Sequence, residues 1–379
     1  MKICHVITRM ILGGAQENTL LTCEDLHARG HDVTLITGPA IGPEGELITR
    51  ARSGGYCVIE IERLRRPINP IRDHRAYRRL VRLLGDLRPD IMHSHSSKAG
   101  ILARKAAAKV GGMKIVHTVH GLPYHRYLSP WRNKLYVALE KRAARRSDAI
   151  ISVADAMTRQ ALAVGVGRPE QYTTIHSGMD VEPYLDSSGA EAFRDLLGLD
   201  DDAVLVTQVS RLAELKGHQY ILDAAEQITD PRVRFCFVGD GRWRDRIEAE
   251  TNRRALADRF TFTGLLPPAQ IPAVMAGSEI VVHCSLREGL ARTLPQAMLA
   301  GRPVISFDID GAGEVVDDST GILLPPGDVT ALAGAIGKLA DSPDLRASLG
   351  AAGREKCREM FSHHRMVDRI EELYLRLLS

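Results

Sequence analysis

Short apolar runs rich in Val and Ile alternate with helix-period segments along the whole chain, and no other feature restricts its folding as much. In the first half the runs are KICHVIT, DVTLIT, CVIEIE, DIMHSH, KIVHTVH and AIISVA; in the second they are AVLVTQVS, VRFCFVGD, FTFTG, EIVVHC, PVISFD and GILLPP. Apolar strands separated by helices predict α/β architecture, with parallel sheets covered on both faces. At 379 residues the chain is too long for one ordinary core. Two such series therefore predict two Rossmann-like domains. The pattern breaks at SGMDVEPY, 177–184, which places the domains at 1–178 and 184–360. Ligands of doubly wound sheets bind beyond the carboxyl ends of the strands. Two domains facing each other predict a central cleft, and the residues just after each strand become the candidates.

Composition removes several classes. With 44% hydrophobic and 26% charged residues and no low-complexity tract, the chain reads as globular. No apolar run approaches the ~20 residues of a membrane span. MKICHVITRM reads as a first strand rather than a secretory leader, because Arg9 and the Gly13–Gly14 pair interrupt its apolar stretch. Six cysteines without C-x-x-C spacing predict buried thiols of a reducing cytoplasm. The net charge of +3 hides an asymmetry: residues 1–185 hold 28 Lys and Arg against 17 Asp and Glu, and the remainder 22 against 30. A +11 half and a −8 half predict domains with different partners.

The strand ends carry the chemistry. Gly13 and Gly14 precede a helix whose first amides could approach a phosphate or substrate oxygen, or else serve a turn of positive φ. His120 stands where KIVHTVH stops, where an imidazole can bond a sugar hydroxyl or move a proton. His93 and His95 in HSHSSKAG lack a third ligand nearby in sequence, so no metal is expected there. Arg211 after one strand and Lys216 at the next helix start suit a diphosphate, since charge and helix dipole add. Gly239 ends FVGDG without a G-x-G-x-x-G fingerprint, which argues against a nicotinamide cofactor. In SLREGLARTLPQAMLAG, Glu288 can accept from sugar hydroxyls. The amides of Arg292, Thr293 and Leu294 open an apolar run, 291–300, and can hold a phosphate. A carboxylate beside an anion site describes a nucleotide-diphosphate sugar.

Together these motifs resemble the retaining glycosyltransferases of family 4, whose fold is GT-B. The likeness runs through GGAQ, HTVHG, VSRLAELKGH, FVGDG, FTG, REGL…GRPVI and TGILLPPGD, nearly the whole chain in order. It implies a donor site built from Gly14, Arg211, Lys216, Gly239, Gly264, Leu265, Glu288, Gly289, Leu290, Arg292, Thr293 and Gln296. It implies an acceptor side of Gly13, Gly14, Gln16, His95, Ser97, Lys98 and His120, with His120 near the reacting face of the sugar. His120, Glu288, Arg211 and Lys216 would be the catalytic set. No metal and no cofactor are implied; the nucleotide sugar, UDP-linked in preference to GDP-mannose, is a co-substrate. The resemblance also implies that 361–379 crosses back to the first domain, and Met366, Ile370, Leu373 and Leu377 support a docked helix. The family pattern has a Glu, seven intervening residues and then a second Glu, for the ribose; here that second place holds Gln296. Two rivals are a nucleotide-sugar epimerase of the same fold, which would act on donor alone, and a silent binding protein, which should have lost Arg211, Lys216, Glu288 or His120.

The acceptor half carries RLRRPINPIRDHRAYRRLVRLL, 63–84, with eight arginines and one acid, Asp73. Arg72, Arg75, Arg79 and Arg82 fall on one helical face, and a second basic helix spans 131–146. Such helices suit an anionic membrane surface better than nucleic acid, for which no recognition motif is present. The expected enzyme is cytoplasmic, on the inner face of a membrane, with a lipid-linked or saccharide acceptor.

Overall fold

The computed structural model describes residues 1–42 and 45–379. The chain divides into two compact units: unit 1 is Met1–Met179 with Ser362–Ser379, and unit 2 is Asp180–Phe361.

Unit 1 holds a seven-stranded parallel sheet of β1 (Lys2–Val6), β2 (Asp32–Thr37), β3 (Cys57–Glu60), β4 (Ile91–His95), β5 (Lys114–Val119), β6 (Ala149–Ser152) and β7 (Tyr172–Thr174), in the order β3-β2-β1-β4-β5-β6-β7. The short edge strand β7 is absent from the sequence reading, because YTT has neither length nor apolar content. Unit 2 holds a six-stranded parallel sheet of β8 (Val204–Val209), β9 (Val233–Val238), β10 (Phe260–Gly264), β11 (Ile280–His283), β12 (Val304–Phe307) and β13 (Gly321–Leu324), in the order β10-β9-β8-β11-β12-β13. In each sheet the order reverses once, between β1 and β4 and between β8 and β11. Those are the places where a doubly wound sheet leaves a crevice.

Seven helices position the groups discussed below: α1 (Gly14–Ala28), α2 (Pro70–Leu87), α3 (Ser97–Val110), α4 (Pro130–Ala144), α5 (His218–Gln227), α6 (Thr293–Leu299) and α7 (His363–Leu378). Side chains alternate across a parallel strand, so β1 serves two cores. Ile3 points with Leu20 and Leu26 of α1 and with Met366, Ile370 and Tyr374 of α7. Cys4 and Val6 point with Leu80 and Leu84 of α2 and Ala103 of α3. The α7 stripe of Met366, Val367, Ile370, Leu373 and Tyr374 is buried in unit 1, and each such side chain contributes about 1.5–3 kcal/mol. The His363 amide donates to Met179 O at 3.1 Å, fixing where α7 starts.

Three local expectations change. Gly13 has φ 166°, extended backbone open to any residue, so no positive φ is served there. A Cβ there would lie 2.8 Å from Gln16 Oε1, the far end of a flexible side chain that can move aside. Helix α6 is shorter than the apolar run 291–300. Pro295 has no N–H to give, so it must sit in the first turn, and the helix begins at Thr293. All six cysteines are free, but Cys57 is exposed rather than buried.

Candidate active site

The unit 2 site forms at the carboxyl ends of β8 and β11. The chain leaves β8 through Arg211, which is exposed and forms no ion pair among the described residues, and turns into α5 at Gly217. Gly217 has φ +76°, and a Cβ there would fall 1.8 Å from Cys284 O; only glycine lets the two loops approach. Gln208 joins them further, its amide donating to Lys216 O (3.1 Å) and its carbonyl accepting from the Cys284 amide (3.3 Å). The Leu286 amide donates to Leu215 O at 2.8 Å. This stitching brings the Lys216 ammonium onto the Glu288 carboxylate, and both side chains keep 21% exposure. His283 Nε2 lies 3.5 Å from the same carboxylate oxygen. Burial pushes the Glu288 carboxyl up, but the Lys216 charge and the His283 hydrogen bond outweigh it and hold it well below the usual carboxylate range. The carboxylate is ionised.

A second loop fixes Glu288 from behind. Its amide donates to Asp310 Oδ2 at 2.6 Å, and the Gly311 amide donates to Gly289 O at 3.2 Å. Asp310 holds φ +46°, a conformation that Asp tolerates better than most residues. Neither Asp310 nor His283 was expected from the sequence. The only signal was position, since Asp310 also follows a strand, in SFDIDGAG. Gln296, in α6, donates from Nε2 to Tyr184 Oη at 2.7 Å. Leu290, Arg292 and Thr293 are half-buried around the start of α6, whose first turn carries no side-chain cap. Gly239 and Gly264 pair across the ends of β9 and β10, with the Gly239 amide donating to Gly264 O at 2.9 Å; Leu265 beyond them is 57% exposed.

Unit 1 sorts its candidates differently. Gly14 opens α1 with no side-chain cap on its first turn, and Gln16 folds back over that start. Ser97 opens α3, whose approach is fixed by the Ser96 and Thr8 hydroxyls at 2.7 Å. Two expected acceptor residues are otherwise engaged. Lys98 is held by Asp73 and by Pro67 O, each at 2.6 Å, and so ties α3 to the start of α2. His95 is wholly buried, and both its ring nitrogens bond other imidazoles: Nε2 meets His5 at 3.0 Å and Nδ1 meets His120 at 3.1 Å. It touches His120 directly. His117 points to the opposite face, against Gly100 and Ser94, as a packed core residue. His5, unremarked in the sequence, stands in register with His93 and completes a cluster whose ring nitrogens lie within 4.8 Å of one another. His93 spends both nitrogens on Tyr374 Oη (2.5 Å) and Thr118 Oγ1 (2.7 Å).

The family model "Glycosyltransferase Family 4" matches residues 12–183, and "Glycosyl transferases group 1" matches residues 190–356. A Streptomyces kanamyceticus 2-deoxystreptamine glucosyltransferase is 30% identical over 72% of this chain and 73% of its own. The chain belongs to the family 4 glycosyltransferases. An Escherichia coli UDP-Gal:alpha-D-GlcNAc-diphosphoundecaprenol alpha-1,3-galactosyltransferase is 28% identical over 99% of this chain and 97% of its own length. Among solved structures, Anabaena HepE in complex with UDP and glucose aligns with TM-score 0.84, at 23% identity, over 98% of this chain and 99% of that one. Sucrose-phosphate synthase from Thermosynechococcus elongatus aligns at 0.85 and 21% identity, over 100% and 99%. The fold is GT-B, two parallel-sheet Rossmann-like domains. In such a glycosyltransferase the loops after β8 and β11 are the ones whose sequence was legible. The groups behind them, Asp310, His283 and Tyr184, emerge only from the packing.

Proposed function

We propose that this glycosyltransferase moves a hexose or N-acetylhexosamine from a UDP-sugar to a lipid-linked or saccharide acceptor in cell-surface polysaccharide or glycolipid synthesis, with retention and without a metal. The observation that carries the reading is the half-buried Lys216–Glu288 pair at the reversal point of the unit 2 sheet. A diphosphate offers Lys216 a stronger counter-charge than one carboxylate. Its arrival would free Glu288 to accept from sugar hydroxyls. Arg211, without an ion-pair partner among the described residues, adds a second cation against the charge that grows on the leaving diphosphate. These fixed cations do what a bound metal would otherwise do. His120 of unit 1 would serve the transferred sugar as a hydrogen-bonding group. The Escherichia coli relative, whose name gives a UDP-sugar donor and a diphosphoundecaprenol-linked acceptor, supports the donor and acceptor classes over nearly its full length.

Unit 1 also offers a face for an anionic membrane, which would bring the enzyme to the inner leaflet. Arg75, Arg78, Arg79 and Arg82 of α2 are exposed, with Ile68 and Ile71 beside them at 73% and 69% exposure, and Trp131 of α4 at 63%. No helix among the described residues is long and apolar enough to cross a membrane.

The deciding experiment supplies a panel of UDP- and GDP-sugars with a short polyprenyl-diphosphate saccharide. It follows nucleotide release and the anomeric coupling of the product by NMR, with and without EDTA. Acceptor-dependent release of UDP, an α-product from an α-donor and indifference to EDTA are expected. Donor turnover without acceptor would indicate an epimerase, an inverted product would refute retention, and EDTA sensitivity would refute the metal-free reading.

A further inference from the structure

We propose that His5 and His95 are positioning residues that set the tautomer of His120, leaving its proton on Nδ1 so that it meets substrate as a hydrogen-bond donor and not as a base. The arrangement is a chain of three imidazoles running outward from the core. His5 Nδ1 lies 3.0 Å from His95 Nε2, and His95 Nδ1 lies 3.1 Å from His120 Nε2. His5 and His95 are fully buried, whereas His120 lies half-buried one residue past β5. The rings are also held in orientation. His95 stacks on His120 with centroids 5.4 Å apart and an interplanar angle of 28°, and on His5 at 5.3 Å and 19°. His93 packs 4.2 Å from His95 on the same strand face, but it is tied to Tyr374 and Thr118 and gives the chain no proton.

Proton counting fixes the direction. A neutral imidazole has one N–H and one lone pair. The middle ring therefore accepts on one side and donates on the other, so both bonds point the same way. If they point inward, His120 Nε2–H donates to His95, His95 Nε2–H donates to His5, and the proton of His5 is left on its own Nε2. That atom is buried without a hydrogen-bond partner among the described residues, and an orphaned buried N–H is the arrangement folded proteins most avoid. If they point outward, His5 Nδ1–H donates to His95 and His95 Nδ1–H donates to His120 Nε2. Only a bare lone pair then remains in the core. Burial agrees with neutral rings, pushing His5 down to about 3 and His95 well below its ordinary value. The outward chain makes His120 Nε2 an occupied acceptor and puts its proton on Nδ1. His120 then has no lone pair with which to take a proton from an acceptor hydroxyl; what it can offer a sugar oxygen is N–H. The significance for transfer rests on the function proposed above, whereas the tautomer itself does not.

The test separates the two. Full-length protein labelled with ¹⁵N-histidine is examined by two-bond ¹H–¹⁵N correlation near pH 7.5, with His120 assigned by its loss in His120→Gln. The expected wild-type spectrum shows His120 protonated on Nδ1. In His95→Phe, which keeps a ring but no nitrogen, His120 should turn to the Nε2–H form. In His95→Asn, whose amide can stand in for Nδ1–H, the wild-type tautomer should return. Transfer in His95→Phe should fall ~10-fold or more in kcat with little change in donor KM, and recover in His95→Asn. An Nε2–H tautomer of His120 in the wild type overturns the proposal even if neither variant folds, as does an unchanged tautomer in His95→Phe. Zinc retained by the purified protein on these rings would overturn it as well. The predicted tautomers without any glycosyl transfer would leave the inference standing and remove the function on which its significance depends.

Discussion

At the scale of single residues, the proposed donor site carries its own ion pair. Lys216 and Glu288 neutralise one another, and Arg211 waits without a partner among the described residues. Removing either cation should cost transfer rather than folding: Lys216→Ala and Arg211→Ala should each lower the rate by ~10²-fold or more, the usual loss for one preorganised charge in such a site. Wild-type turnover in a folded Arg211→Ala protein would place that arginine outside the site. Gln296 allows a finer test. Its Nε2 donates to Tyr184 Oη, so under the proposed function its carbonyl would be the acceptor offered to the ribose. Gln296→Glu makes that acceptor charged, lets Tyr184 become the donor, and should tighten free UDP by up to ~1–2 kcal/mol in calorimetry. Equal or weaker binding would mean that the ribose is held elsewhere.

At the scale of elements, β1 and β4 carry an unusual load of buried histidine. His5 is pushed down to about 3, and His93 and His95 fall well below the ordinary value, all chiefly by burial. The unfolded chain binds protons on these rings below about pH 6.5, while the fold binds them only far lower. Stability therefore falls as pH drops from about 6.5, by about 1.4 kcal/mol per unit for each such ring. Urea unfolding followed by Trp131 fluorescence in a Trp243→Phe background should show this decline between pH 7 and 5, and His5→Phe should flatten it. A flat wild-type profile would mean that the rings accept protons inside the fold. This behaviour could not be read from the sequence, where DIMHSH looked like a strand with polar decoration. The strands themselves were legible because their apolar runs are long enough to mark buried parallel sheets; Tyr172–Thr174 was missed because three polar residues carry no such mark. The loops after β8 and β11 were legible because their charged residues directly follow strand ends. Tyr184 lies 112 residues from Gln296, and His5 meets His95 through strand pairing, so neither role exists until the sheets form.

At the scale of the whole molecule, charge is divided by unit. Counted over the two units, unit 1 holds 31 Lys and Arg against 18 Asp and Glu, a net +13, and unit 2 holds 19 against 29, a net −10. The excess on unit 1 includes cations that the fold leaves unpaired. Asp73, the one acid in the arginine-rich stretch, is taken by Lys98, and Arg72 turns its guanidinium to Pro67 O at 2.6 Å. Arg75, Arg78, Arg79 and Arg82 remain exposed, without ion pairs among the described residues. Binding to an anionic bilayer should then be electrostatic first, with roughly 1 kcal/mol per cation near the surface and a screening length of about 8 Å at physiological salt. Ile68, Ile71 and Trp131 could add apolar contact once the surface is reached. Sedimentation with phosphatidylglycerol vesicles should show binding that weakens as salt rises, and neutral phosphatidylcholine vesicles should hold little protein. Replacing Arg75, Arg79 and Arg82 together with Gln should weaken the first and leave UDP binding intact, since the proposed donor site lies in unit 2. Adding Ile71→Ser should remove the salt-resistant remainder. Binding indifferent to lipid charge would refute the electrostatic attachment. Loss of UDP affinity in the triple variant would mean that these arginines support the fold instead.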